Sequence, residues 1–271
     1  MKKSTEIVKA YNNFEFMNSS DARTVRILSE YYEPKSRLEK DNITDTIVFF
    51  GSARLMAKKD AEKNLKAVMK AEKAKKRSNK KNIEAAESLV RMARYYDDAV
   101  ELSKKLTEWS LTLPEETRFH ICSGGGPGIM EAANKGAKLG GGDSIGFNIS
   151  IPFEQFVNKY VKPEHAFEFH YFFMRKFWFV YLAKGLAVFP GGFGTLDEFS
   201  EILTLVQTEK VTKDIKIICY DEEYWKDIIN FEGLIKHGMI SAGDMKLFDF
   251  CNTVDDAFEK LKNHFIKLYK L

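Results

Sequence analysis

Gly185-Leu186-Ala187-Val188-Phe189-Pro190-Gly191-Gly192-Phe193-Gly194-Thr195-Leu196-Asp197-Glu198 reads as a short apolar strand, a glycine-rich turn and the opening of a helix that the pattern carries from Thr195 to Thr208. An apolar run of strand length, bounded by glycine and proline, suits a buried strand. Glycine lets the chain turn tightly and lets a ligand come close to the backbone amides. The start of the helix leaves N–H groups without intrahelical partners and carries the positive end of the helix dipole, which suits phosphate.

The same arrangement occurs upstream. Arg118-Phe119-His120-Ile121-Cys122 is a strand, Ser123-Gly124-Gly125-Gly126-Pro127-Gly128 a second glycine-rich turn, and Gly128 to Leu139 a helix. Thr46-Ile47-Val48-Phe49-Phe50 is a strand of β-formers that runs straight into Gly51-Ser52. Further strands are read at residues 144–148, 167–170, 185–189 and 215–219. Helices are read at 83–110, 171–184, around 224–236 and at 254–269. Alternating strands and helices with short connections predict an α/β fold: a Rossmann-like, doubly wound parallel sheet with helices on both faces. In such a sheet the turns lie at the carboxyl ends of the strands, where ligands bind. The expected organisation is an N-terminal helical arm over residues 1–45, amphipathic at Val25, Ile27, Leu28, Tyr31 and Tyr32, and a nucleotide-binding domain over 46–271.

Within that domain residues 57–82 form a basic insertion, with eleven Lys or Arg against three acids and Ala, Leu and Met at helical spacing. Such a run can bind polyanions. It lacks interleaved aromatics and any groove-reading motif, so a solvated helical insertion is the favoured reading and nucleic acid is not expected as a partner. Composition sets other bounds. The chain has 271 residues, 44% hydrophobic and 30% charged, with a net charge of +3, as an ordinary globular protein has. Cys122, Cys219 and Cys251 make no CxxC pair and no even-numbered disulfide framework, which points to a reducing compartment. Polar residues follow the N-terminus with no apolar h-region, and the most apolar stretch, Tyr171 to Val180, is short and holds Arg175 and Lys176. A cytoplasmic protein with no membrane association is expected.

The glycine turns carry the chemistry. Neither is a GxxxxGK[ST] phosphate loop, and neither is a clean GxGxxG with an acid about 20 residues on. The pattern suits one phosphate with room beside it for a sugar. Gly191, Gly192, Gly194 and Thr195 would cradle the phosphate, and Gly124, Gly125 and Gly126 would line the opposite wall. Gly51, Ser52 and Lys176 complete the candidate substrate-binding set. Glu198, three residues beyond Thr195, shares a helix face with the phosphate-binding end. A carboxylate there can stand beside a ribose; the bland alternative is an acid that complements the helix dipole, a role Asp197 fills better. Arg175 lies in Phe172-Phe173-Met174-Arg175-Lys176-Phe177-Trp178-Phe179-Val180, a helix apolar enough to be largely buried, and a buried guanidinium needs an anion. Its partner would be Glu198 or the substrate phosphate, or else Glu201 or Glu168 in a purely structural pair. His120, His165 and His170 are weak leads, and no cluster has metal-ligand spacing, so neither metal nor cofactor is expected.

Pro190-Gly191-Gly192-Phe193-Gly194-Thr195-Leu196-Asp197-Glu198 matches PGGxGTxxE, and in this the chain resembles the LOG ("lonely guy") phosphoribohydrolase family. Arg175-Lys176 matches the Arg-Lys of the family's companion motif, and Gly124 to Met130 looks like its first glycine loop. The resemblance runs over roughly residues 43–251. It implies a Rossmann-like fold, a homodimer or larger homo-oligomer, and hydrolysis of nucleoside 5′-monophosphates, AMP or N6-substituted AMP, to free base and ribose 5-phosphate. It assigns Glu198 and Arg175 as catalytic. Phe172-Phe173-Met174 stands where plant-type members have Met-His-x before Arg-Lys. With the arm and the basic insertion, this places the resemblance with the longer bacterial-type members. Such proteins are often labelled lysine decarboxylases, yet no lysine here has a pyridoxal-phosphate setting. Molybdenum-cofactor carriers resemble the fold and its loops, so a non-catalytic carrier is the alternative; the intact Glu198 and Arg175 favour catalysis.

Overall fold

Seven strands, β1 (Asp45–Phe50), β2 (Phe119–Ser123), β3 (Ser144–Ile149), β4 (Ala166–Phe169), β5 (Ala183–Val188), β6 (Lys216–Tyr220) and β7 (Asp249–Cys251), form one sheet in the order β4-β3-β2-β1-β5-β6-β7. Every pair is parallel. The structure is a computed structural model that describes residues 7–75, 79–152 and 156–270. The helices are α1 (Phe14–Met17), α2 (Arg23–Lys40), α3 (Lys58–Lys73), α4 (Lys80–Met92), α5 (Arg94–Leu111), α6 (Ile129–Leu139), α7 (Phe172–Leu182), α8 (Phe193–Gln207), α9 (Glu222–Ile228), α10 (Phe231–Lys236) and α11 (Val254–Tyr269). None of the described helices is long and apolar enough to cross a membrane.

The period of two along β1 builds two cores. Ile47 and Phe49 pack with Tyr95, Leu102, Leu106, Ile129, Leu261 and Phe265, from α5, α6 and α11. Val48 and Phe50 point the other way, to Trp178, Phe179, Phe199 and Trp225, from α7, α8 and α9. A strand covered on both faces reads as an unbroken apolar run, as Thr46 to Phe50 does. Burying each of Phe49 and Phe50 contributes about 2–3 kcal/mol.

β1 sits mid-sheet. The chain steps outward through β2 and β3 to β4, then returns through α7 to β5 on the other flank of β1. This reversal opens a crevice outside the carboxyl ends of β1 and β5, where a doubly wound sheet binds its ligand. The glycine turns at 51–52 and 190–194 lie at those two ends.

The arm's helix α2 lies on α7. Trp178 Nε1 donates to the Glu30 carbonyl at 2.9 Å, and the Glu30 carboxylate accepts the backbone N–H groups of His170 at 2.7 Å and Tyr171 at 3.2 Å. Glu30 thus caps α7, whose own N-cap residue, Tyr171, provides no side-chain cap. Arg37 reaches the carbonyls of Pro163, Glu164 and Ala166.

Three expectations change. The single helix read at 83–110 is two, broken at the fully buried Ala93. α4 pairs with α3 in a hairpin while α5 packs on α6 and β2, and one straight helix cannot do both. α7 is buried on one face only: Met174, Trp178, Phe179 and Leu182 are inside, whereas Phe172, Phe173, Phe177 and Tyr181 are exposed. The sheet also gains β7, whose three residues are too few to show alternation.

Candidate active site

Backbone hydrogen bonds knit the three glycine turns into one rim. Ser52 N–H donates to the Pro190 carbonyl at 3.0 Å, and Ile129 N–H donates to the Ser52 carbonyl at 3.1 Å. The turn after β1 therefore bridges the turns after β2 and β5. Gly128 makes this possible: its φ is +72°, and a Cβ there would stand 2.2 Å from the Ser52 carbonyl oxygen. Gly51 lies against the Ile129 side chain and Gly191 against Thr195, so both are packed rather than open. Gly192, Phe193 and Gly194 form the exposed lip, and a Cβ on Gly192 or Gly194 would meet nothing within 4 Å.

α8 begins at Phe193, two residues earlier than the sequence pattern indicates, with Gly192 as N-cap. No side chain caps it and no acid lies in its first turn. Its first N–H groups are thus left for a ligand. The earlier start moves Glu198 into the second turn, beyond the reach of a simple dipole complement, which fades within the first.

Glu198 is buried, 6% exposed. Its Oε1 lies 3.5 Å from Arg175 Nη2. Burial raises the Glu198 pKa to about 7; the Arg175 and Lys176 charges draw it down but do not offset the desolvation. Arg175 is pulled below its ordinary value, again by burial first. Its Nε is buried with no hydrogen-bond partner among the described residues. Its guanidinium lies over the Phe172 and Phe179 rings at 5.2 and 5.6 Å. A Cβ on Gly124 would stand 3.9 Å from Arg175 Nη1, so the first glycine turn, Arg175 and Glu198 meet in one place. Lys176 faces elsewhere. Its Nζ pairs with Asp197 at 2.8 Å and Glu201 at 3.0 Å; burial acts against its charge, but these carboxylates raise its pKa on balance. Glu168, the other partner weighed for Arg175, accepts from Ser150.

Two residues that the sequence pattern does not single out hold the turns in place. Asn158 donates through Nδ2 to the carbonyls of Gly125 at 2.9 Å and Gly126 at 3.1 Å and to Asn134 Oδ1 at 2.9 Å, while its own N–H donates to the Gly125 carbonyl at 2.7 Å. Ser123 completes that network, donating to Asn134 Oδ1 and accepting from Gly125 N–H. On the other wall Tyr224 Oη donates to the Gly191 carbonyl at 2.8 Å. Ser52 contributes mainly backbone, its Oγ accepting from Arg54 N–H. Among the described residues no group of His, Cys, Asp and Glu is arranged to hold a metal ion, and the three cysteines are free and buried.

Residues 130–261 match the model of a family described as "possible lysine decarboxylase". Among solved structures the chain is similar to the Moco carrier protein from Chlamydomonas reinhardtii, at 18% identity and a TM-score of 0.46, over 83% of this chain and 99% of that one. It is also similar to TM1055, a structural-genomics target solved by X-ray, at 19% identity and a TM-score of 0.45, over 64% of this chain and 89% of that one. No curated protein sequence matches the chain.

Proposed function

We propose, for a chain whose residues 130–261 match a family described as "possible lysine decarboxylase" and whose Pro190 to Glu198 run resembles the LOG family, that it hydrolyses the N-glycosidic bond of a nucleoside 5′-monophosphate, AMP or an N6-substituted AMP, releasing free base and ribose 5-phosphate. The observation that carries this reading is the buried Glu198 carboxylate with a pKa near 7, in the second turn of a helix whose start is uncapped and beside a half-paired Arg175. Perturbed titratable groups of this kind gather where chemistry is done.

In this reading the 5′-phosphate takes the free N–H groups of Gly192, Phe193, Gly194 and Thr195, and Gly124 to Gly126 form the far wall. The ribose then reaches toward Glu198. As the C1′–N bond breaks, its electron pair leaves with the base and positive charge builds on the ribose. The Glu198 carboxylate stabilises that charge. It also takes the proton of the water whose oxygen bonds to C1′, a role for which a pKa near neutrality is suited. Arg175 orients Glu198. Lys176 acts at one remove, through Asp197 and Glu201.

The reading includes a homo-oligomer. Phe173, Phe177 and Tyr181, spaced by four, make an exposed stripe on α7, and Tyr31 joins it to α2 with its ring 5.6 Å from Phe177. An apolar face of this kind beside the site supports pairing with a second copy. Incubating the protein with AMP, GMP, CMP and N6-isopentenyl-AMP and assaying free base tests the reaction. Release of no base from any of the four refutes it.

A further inference from the structure

The lysines of α3 are not scattered around the helix. Lys59, Lys63, Lys66, Lys70 and Lys73 recur every three or four residues, so they share one face, and all five are exposed. At 1.5 Å per residue the stripe is about 21 Å long. The opposite face, with the buried Ala61 and Glu72, lies toward α4. The Glu72 carboxylate closes the turn between the two helices, accepting the Asn79 N–H at 2.7 Å, Asn82 Nδ2 at 2.7 Å and Lys75 Nζ at 2.6 Å. The stripe is therefore presented on a braced hairpin. Lys76 and Arg77, also counted in the basic segment, lie outside the described residues.

Other exposed lysines are equally unpaired among the described residues, Lys138, Lys210, Lys236, Lys246 and Lys267 for example, but they stand apart on different elements, whereas the stripe sets five on one helix face. Several other helices instead pair their charges internally. Lys35 and Glu39, Arg37 and Glu33, Lys104 and Glu108, Lys226 and Glu222, Lys260 and Asp256, and Lys262 and Glu259 all pair within one helix, three or four residues apart. Such pairs are how a solvated helical face neutralises its charge. Among the described residues no carboxylate is within ion-pairing distance of any of the five stripe lysines. Like charges one turn apart repel, so the stripe costs its helix some stability. The basic segment also holds an excess of eight positive charges in a chain whose net charge is +3, so the rest of the protein is net acidic. The net positive charge is thus concentrated in this segment.

We infer that the α3 stripe binds the phosphodiester backbone of a nucleic acid. A single phosphate could engage only one or two of these lysines. Five in a line about 21 Å long match a ligand with repeated charges, at about 3.4 Å of rise per nucleotide roughly six nucleotides of one strand. The stripe carries no aromatic, Arg, Asn or Gln, only the point charges of lysine, so recognition is chiefly of backbone charge rather than of sequence. The inference stands apart from the reaction proposed above.

Anisotropy titrations of the full chain against a labelled single-stranded RNA and a labelled duplex DNA, over about 50–200 mM salt, test it. The variant K59Q/K63Q/K66Q/K70Q/K73Q keeps good helix formers and is compared with K138Q/K210Q/K236Q/K246Q/K267Q, which removes the same charge elsewhere. The wild-type protein is expected to bind at about 50 mM salt. The stripe variant is expected to lose at least about tenfold in affinity, and its log–log salt slope to fall by about 3.5 on the single strand or about 4.5 on the duplex, since each phosphate contact contributes about 0.7 or 0.9. The control variant stays within about threefold of wild type. Whichever probe binds more tightly identifies the nucleic acid. Absence of wild-type binding to both probes, equal losses in the two variants, or binding to phosphatidylserine vesicles without binding to either nucleic acid would overturn the inference.

Discussion

Arg175 and Glu198 face each other at 3.5 Å, Glu198 buried and Arg175 partly so, and each is pushed toward its neutral form by desolvation more than the other's charge restores it. A pair that only held α7 to α8 would close to a short, two-pronged contact. This one is left loose, with Arg175 Nε unpartnered, as a site that awaits a third group would be.

If Glu198 acts in the transition state, Glu198→Gln loses base release by about 100-fold or more and keeps nucleotide affinity within about tenfold. Single-turnover rates together with calorimetric titration of AMP separate the two quantities. Undiminished turnover in this variant removes Glu198 from the mechanism.

The raised pKa of Glu198 links activity and stability to pH in opposite directions. As a base it must be ionised, so kcat/KM rises with pH through about 7. Its folded value lies above the ordinary 4.5, so the stability this group contributes is complete below 4.5 and is lost as pH rises through about 7. The loss amounts to about 3 kcal/mol at most by pH 8. Glu198→Gln does not ionise and escapes it. Urea denaturation at pH 4.5, 6 and 8 is expected to show the variant gaining on wild type as pH rises. Parallel curves would mean that the carboxyl titrates normally.

Much of this arrangement is legible in the sequence because it is local. Each glycine turn follows an apolar strand and opens a helix, so the strand, the turn and the place of the ligand read from a few consecutive residues. Arg175 in an aromatic helix raises the question of its partner, and Glu198 is one of few answers. The contacts that hold the turns are different. Asn158 lies 33 residues from Gly125, and Tyr224 lies 33 from Gly191. Glu30 reaches α7 across 140 residues. No periodicity marks a polar side chain that matters through a distant backbone carbonyl or N–H. The break at Ala93 is equally silent, since alanine is a good helix former and the interruption arises from what each half packs against.

Tyr224 orients the second glycine turn through a single hydroxyl. Tyr224→Phe removes one neutral hydrogen bond, of about 0.5–1.5 kcal/mol, and keeps the ring. The expected result is a rise of about two- to tenfold in KM for AMP with kcat nearly unchanged. A change confined to kcat would mean that Tyr224 touches the reacting atoms instead.

Glu30 ties the arm to the helix that carries Arg175. Glu30→Ala leaves the Tyr171 end of α7 without its cap, and the loss of a cap costs about 1 kcal/mol. The midpoint of urea unfolding is expected to fall by the corresponding amount, and Glu30→Gln, which still accepts hydrogen bonds, to recover part of it. No change in Glu30→Ala would show that solvent caps α7 equally well.

The coupling of Arg175 to Glu198 is the most discriminating test. Arg175→Ala strands a buried carboxylate, and breaking a buried charge pair costs about 3–5 kcal/mol. Here the cost is at the low end or below it, because Glu198 can protonate near neutrality, and protonation also withdraws the charge that the ribose cation needs. Turnover therefore falls even where the fold survives. Arg175→Lys restores a charge, but a compact ammonium cannot copy the planar guanidinium that lies over Phe172 and Phe179, so rescue is partial. If Arg175 works by keeping Glu198 ionised and aimed, it has nothing left to do once Glu198 is glutamine. The double variant Arg175→Ala with Glu198→Gln then loses less turnover than the two single losses combined. Strictly additive losses, measured in single turnovers at saturating AMP, would show that the two residues act independently and that Arg175 meets the substrate by itself.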